Sequence, residues 1–142
     1  MRPAVKEQVE SLGARFVAMQ IISDDAQDAS GYAKEVSADT HSKELELIGS
    51  RMAKNDVVIT TALIPGRPAP VLITSEMVKM MPSGSVIIDL AVERGGNVAL
   101  SKAGETIVTE NGVTILGPLN LPGRIAASAS ALYAKKIGRA HV

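Results

Sequence analysis

The run Val57-Val58-Ile59-Thr60-Thr61-Ala62-Leu63-Ile64-Pro65-Gly66-Arg67-Pro68-Ala69-Pro70 decides the fold. Its first half is short, apolar and β-branched, the pattern of a strand buried on both faces. Its second half holds three of the chain's seven prolines and a glycine, so the strand has to stop there. In open α/β sheets, ligands sit in the crevice beyond the carboxyl ends of the strands. A stiff apolar lip at that place suits the flat face of a ring or a ribose. A Pro-rich turn that only ends a strand has the same composition, and spacing alone does not separate the two readings.

Around this run the composition narrows the class. A chain of 142 residues is one domain's worth, or part of something larger. Hydrophobic residues make up 46% of it and aromatics 2%, so the core has to be aliphatic, as in layered α/β domains. Fifteen Lys and Arg balance fifteen Asp and Glu, which removes the electrostatic case for nucleic acid or an anionic membrane surface. With no cysteine there is no disulfide, thiol nucleophile or thiolate metal site. No signal-peptide pattern opens the chain, and no run approaches the ~20 apolar residues of a membrane span. The stretch is expected to be soluble.

Upstream of the central run, residues 1–13 read as a short helix with Pro3 in its first turn and Gly13 as its stop. Val5, Val9 and Leu12 would share its apolar face. An α/β domain normally starts on a buried strand, so a helical start hints at truncation. Residues 15–20 read as a strand and the acidic, small-residue stretch 23–33 as a mobile surface loop. Tyr32, following Gly31, could swing over a ligand from such a loop, although a lone loop tyrosine needs no ligand to explain it. A helix over 37–54 would pack Leu45, Leu47, Ile48 and Met52 on the sheet. His41, near its start, has no partner at a ligand spacing and reads as exposed.

Downstream, Thr74 is a good N-cap for a helix whose apolar side carries Met77, Met80 and Met81, with Glu76 near its positive end. Residues 85–91 form a second buried strand. Asp89 interrupts that apolar run, and a carboxylate there must find hydrogen bonds or a ligand. Residues 106–116 are two β runs meeting at Asn111-Gly112, a strong hairpin signal. A third strand-end loop covers 117–123, and a helix covers 124–136. The order helix, strand, helix, strand, helix, strand, hairpin strand, helix predicts an α/β fold with a parallel, doubly wound sheet. Loops after Ala62, Leu90 and Leu116 would then converge on one edge.

Several chemistries are missing. A dinucleotide-binding fold normally opens strand, glycine-rich turn, helix, strand, acid. This chain has no Gly-x-Gly-x-x-Gly and no phosphate loop. Glu93, Asp89 and His41 are the candidate general acids or bases, and none has an evident partner. The residues themselves reach one statement: the ligand-binding half of a doubly wound sheet.

Further stretches carry a resemblance. These are Arg2-Pro3, Val5-Lys6-Glu7-Gln8-Val9-Glu10-Ser11-Leu12-Gly13, Gly31-Tyr32-Ala33-Lys34, Thr60-Thr61-Ala62-Leu63-Ile64-Pro65-Gly66 and Pro68-Ala69-Pro70. Gly84-Ser85-Val86-Ile87-Ile88-Asp89-Leu90-Ala91, Gly95-Gly96-Asn97 and Leu121-Pro122-Gly123-Arg124 complete the set. Together they resemble the alpha subunits of proton-translocating NAD(P) transhydrogenases, from Arg2 to about Lys136. Alanine dehydrogenases share the fold and weaker forms of the same stretches. The resemblance implies an NAD(H)-binding domain, usually dimeric, that passes hydride from NADH to NADP on a separate domain. The transfer is coupled to proton movement through a membrane domain. It implies a soluble domain on the cytoplasmic face of a bacterial inner membrane, or the matrix side in a mitochondrion.

By position, the resemblance puts Arg2 next to the acidic residue that grips the adenosine ribose. It puts Gly31 and Tyr32 in a loop that closes on NAD(H), and packs Ala62 and Leu63 beside the nucleotide. No protein acid or base is required, and Glu93 receives no catalytic role. The family's first strand, glycine-rich loop and ribose acid would lie before Met1. The expected fold is therefore a partial Rossmann-like doubly wound sheet lacking those elements, with 1–136 as the carboxyl part of the NAD(H) domain. Such a piece alone should bind NAD(H) poorly and show no turnover. Residues 137–142 depart from the family and back-translate into the start of a common sequencing adapter (ATC GGA AGA GCA CAC GTC), so they are expected to be a non-native tail. Two other readings stand beside this one. An alanine dehydrogenase-like oxidoreductase would need a Lys and a His upstream, and a non-catalytic binding module would need neither.

Overall fold

The structure, a computed structural model, describes residues 6–17 and 38–140. Four strands, β1 (Val57–Thr60), β2 (Val86–Asp89), β3 (Thr106–Val108) and β4 (Thr114–Leu116), form one sheet in the order β1-β2-β4-β3. The helices are α1 (Lys6–Glu10), α2 (Ala38–Met52), α3 (Ser75–Lys79), α4 (Leu121–Arg124) and α5 (Ala126–Ala140). β1, β2 and β4 run parallel, whereas β3 lies antiparallel to β4. The sheet is therefore mixed and mostly parallel, not wholly parallel. The cause is local: a short turn at Asn111-Gly112 can join only antiparallel neighbours.

The register places Val58, Ile87, Ile115 and Ile107 side by side across all four strands. That row faces the core, where it meets Met52 of α2, Met77 and Val78 of α3, and Met81, Ile73, Val98 and Val113. β-branched side chains fit such a pleated, covered surface well. The alternate positions face the other way, and there the expectation of burial on both faces fails. Val57 is 58% and Ile59 59% exposed. Among the described residues β1 is an edge strand, and the core lies on one face of the sheet only. The second layer of a doubly wound arrangement is not among them. α5 leaves α4 with Leu132 and Tyr133 exposed.

Local signals in the sequence hold where they concern caps and turns. Gly13 has φ +78°, and its N–H donates to Glu10 O at 2.9 Å, ending α1 as a left-handed residue should. Leu12, expected on a packed face, is exposed. Thr74 caps α3 from an extended backbone and accepts the Met77 N–H. Glu76 has its carboxyl pKa lowered, first by a hydrogen bond from its own backbone N–H and then by the Thr74 side chain. Its ionised form therefore favours the fold above the ordinary carboxylate pKa, and that contribution is lost as the pH falls through the lowered folded-state value. Met77 and Met81 are buried, but Met80 is exposed at the C-cap. The far end of α3 is closed by a residue from the hairpin turn: Asn111 Nδ2 lies 3.1, 3.4 and 3.3 Å from the carbonyls of Val78, Lys79 and Met81. Residues 15–17 form no strand, and 18–37, with the rest of the expected strand and loop, lie outside the described residues.

The two faces of the sheet predict different costs. Ile87→Ala should destabilise the fold by about 2–5 kcal/mol, because it opens a cavity in the middle of the cross-strand row. Ile59→Ala should cost no more than about 0.5 kcal/mol, as an exposed change does. Urea unfolding midpoints of the two variants check this, and equal losses would mean that the outer face is covered.

Candidate functional site

Because β1, β2 and β4 are parallel, the segments that follow them, 61–70, 90–97 and 117–120, leave the sheet at the same edge. They are tied to one another there. Asp89, the last residue of β2, is 0% exposed. Its Oδ1 accepts the Thr60 hydroxyl at 3.1 Å and the Ala91 N–H at 3.0 Å. Its Oδ2 accepts the N–H groups of Asn97 at 2.9 Å and Val98 at 3.1 Å, and the Ser101 hydroxyl at 2.6 Å. The demand that a buried carboxylate find hydrogen bonds or a ligand is met from inside the fold. With its oxygens so occupied, Asp89 is not available as a general base or a ligand.

This wrap around Asp89 needs a glycine. Gly96 has φ +83°, and a Cβ there would lie 2.7 Å from both Asp89 Oδ2 and Ser101 Oγ. The segment that turns back on the carboxylate delivers Asn97, also 0% exposed, to the first loop. Asn97 Nδ2 donates to Ala62 O at 2.9 Å and to Pro70 O at 2.7 Å, and its Oδ1 accepts the Ala62 N–H at 2.9 Å. The Asn97 carbonyl accepts the N–H groups of Leu72 and Ile73 at 2.8 and 3.0 Å. The first two segments meet again where Ala69 N–H donates to Arg94 O at 2.7 Å. The second and third meet through Glu93, whose Oε1 accepts the Asn120 N–H at 2.6 Å. Asn120 is left-handed, with φ +47°, and caps α4 by accepting the Gly123 N–H.

Of the residues singled out from the sequence, Ala62 and Leu63 stand on this rim. Ala62 is half-buried with its peptide clamped by Asn97, and Leu63 is 52% exposed. Arg2, Gly31 and Tyr32 lie outside the described residues, as does the side chain of His41. Glu93 has a partner after all, a backbone N–H on the neighbouring loop. Asn97, Ser101 and Thr60 build the site; Thr60 and Asn97 stand in the sequence only as parts of the stretches that carry the resemblance, and Ser101 is not singled out at all. The pair Gly95-Gly96 just beyond a buried Asp is the available signal, since adjacent glycines allow a close return of the backbone. Among the described residues no cluster of His, Asp and Glu could hold a metal, and no helix is long and apolar enough to cross a membrane.

A mostly parallel sheet with its strand-end loops bound together at one edge is a Rossmann-like α/β domain. A family model described as "Alanine dehydrogenase/PNT, C-terminal domain" matches residues 1–140, and the chain belongs to that family. It is 52% identical over 96% of its length to an NAD(P) transhydrogenase alpha-subunit protein of Rhodospirillum rubrum, covering 36% of that protein. It is 50% identical over 96% of its length to NAD(P) transhydrogenase subunit alpha of Cereibacter sphaeroides, covering 26%. Alanine dehydrogenase 1 of Staphylococcus aureus is 37% identical over 63% of the chain. Among solved structures, transhydrogenase from Sinorhizobium meliloti superposes with a TM-score of 0.70 at 49% identity, over 96% of this chain and 33% of that one. The chain thus spans about a third of the curated relatives it matches, or less.

Removing the carboxylate tests how far the rim hangs on it. Asp89→Ala leaves buried N–H groups without an acceptor and should cost about 3 kcal/mol or more, since each such orphan costs ~1–3. Asp89→Asn keeps the shape but turns one acceptor into a donor facing donors, and should also destabilise. Thermal or urea unfolding of the two variants measures both.

Proposed function

We propose that this chain forms one wall of an NAD(H) site in the alpha subunit of a proton-translocating NAD(P) transhydrogenase. The carrying observation is its likeness, along 96% of its length, to transhydrogenase alpha subunits, in a chain whose Ala62 and Leu63 stand at the carboxyl rim of the sheet. The rim fits the coenzyme in kind. Asp89 and Asn97 are satisfied within the fold, and Leu63 offers an exposed apolar side chain beside a clamped backbone, among exposed polar neighbours such as Thr61 and Arg94. Leu63 can lie against the flat side of a nucleotide, and this reading asks no acid or base of the chain.

Direct hydride transfer needs none. When bound, the nicotinamide carries the hydride chemistry. The task left to this chain is to bind one coenzyme, orient it toward a second held on another domain, and keep water out. The partners on this reading are the NADP(H)-binding domain, the membrane domain and a second alpha subunit. The site of action would be the cytoplasmic face of a bacterial inner membrane or the mitochondrial matrix face. Upstream sequence would contribute the first strand, the glycine-rich loop that meets the pyrophosphate, and the ribose acid. Arg2, Gly31 and Tyr32 would complete the contacts. An alanine dehydrogenase-like activity is the second reading, favoured by the 37% identity to those enzymes but over a shorter stretch.

The test joins this chain to the preceding strand and glycine loop of the Rhodospirillum subunit and titrates NADH by fluorescence. Saturable binding is expected for the joined protein and much weaker binding for the 142-residue chain. A folded joined protein that leaves NADH fluorescence unchanged overturns the reading. In the same full-length setting, Tyr32→Ala should slow single-turnover hydride transfer by about tenfold or more while weakening NADH binding far less. An unchanged rate removes Tyr32 from the closing loop's work.

A further inference from the structure

We infer that Asn97 is a positioning residue: its carboxamide holds both ends of the 62–70 lip and so sets where Leu63 meets the coenzyme. The inference rests on the NAD(H) reading above. The lip carries prolines at 65, 68 and 70, which have no N–H to give to a ladder. It has to be held some other way. Asn97 provides both donor and acceptor, bonding the N–H and C=O of Ala62 at the start of the lip and the carbonyl of Pro70 at its end. Two donors and an acceptor on one short planar group are what only an asparagine supplies at this reach. Aspartate has the shape without the donors, and glutamine adds a methylene to a residue that is 0% exposed.

Asn97 is itself immobilised. Its N–H is held by Asp89, its carbonyl by Leu72 and Ile73, and its neighbour Gly96 lies against Asp89. The residue next to the clamped Ala62 is Leu63, 52% exposed at the rim. An exposed apolar side chain on a backbone fixed from behind is preorganised for contact, and a small misplacement of a reacting group acts strongly on the rate of the step. Loss of the clamp should therefore show in the transfer step.

Two measurements test this. In the 142-residue chain, hydrogen exchange is compared at Ala62 and at the core residues Ile87 and Ile115. Asn97→Leu and Asn97→Asp should each speed exchange at Ala62 by about tenfold or more while leaving the core protected. In an alpha subunit carrying this segment, assembled with its NADP(H)-binding domain, single-turnover hydride transfer should fall by about tenfold or more, with the NADH Kd changed by less than about threefold. The single-turnover rate does not depend on the folded fraction, so mere loss of protein would not mimic it. Leu63→Ala added to Asn97→Leu should slow transfer no further than the larger single change, because both act through one contact. Unchanged exchange at Ala62, acceleration spread equally to Ile87 and Ile115 in both variants, or a fully additive double variant overturns the proposal. NADH binding by the unsubstituted subunit reads the coenzyme site separately. If that binding is absent, the site assignment fails while the exchange data still decide the clamp.

Discussion

The buried carboxylate of Asp89 is the constraint from which the rest of the rim follows. Taking Asp89 out of water is costly unless its oxygens are met by donors. The fold meets them with three backbone N–H groups and two hydroxyls, drawn from β1, from the turn after β2 and from the segment at 97–101. Each donor has to come close, so the chain has to curl tightly, which is why Gly96 takes a backbone conformation that side chains avoid. The carboxylate converts a flexible strand-end loop into a fixed one. Asn97 then passes that fixity to the loop after β1, and Glu93 to the loop after β4.

The division of labour along the sheet is sharp. One face carries the hydrophobic row that stabilises the fold, and one edge carries the polar ties that shape the site. At the rim the two meet: Thr60 is at once the last residue of β1 and a donor to Asp89. A change in register by one residue would bury the wrong side chains and also move Thr60 away from Asp89. The hydrophobic pattern thus sets the position of the site as well as the stability of the sheet.

What is legible in the sequence is local. The glycine stop at 13, the Thr74 cap and the Asn111-Gly112 turn each depend on a few neighbouring residues, and each stands where its sequence signal lies. The convergence of three loops follows from reading parallel strands, which is also a short-range inference. Non-local facts are out of reach. A run of β-branched residues looks the same whether a second layer covers it or not, so the exposure of Val57 and Ile59 is invisible in the sequence. The partners of Asn97 lie 35 and 27 positions back along the chain, and no periodicity encodes them. Asn111 is recognisable as a turn residue, but its second task, closing α3 from about thirty residues away, belongs to the tertiary structure.

Among the described residues, Asp89 and Glu93 at the rim both accept hydrogen bonds from within the fold. An acid or base must present an unsatisfied lone pair or proton to a substrate. Here Asp89 is enclosed by its own donors and Glu93 accepts a backbone N–H, so the carboxylates nearest the loops are employed in holding them. A site built this way is suited to reactions whose chemistry is carried by a bound group and whose rate depends on how that group is aimed. Hydride transfer between two nicotinamides is of that kind, because the bond that forms and the bond that breaks share one hydrogen along one line. On the proposed NAD(H) reading, rigidity at Ala62 and Leu63 would contribute what a general base contributes elsewhere. The hydrogen bonds around Asp89 and Asn97 accordingly lie behind the rim, where they fix its geometry, while Leu63 stands exposed in front of them.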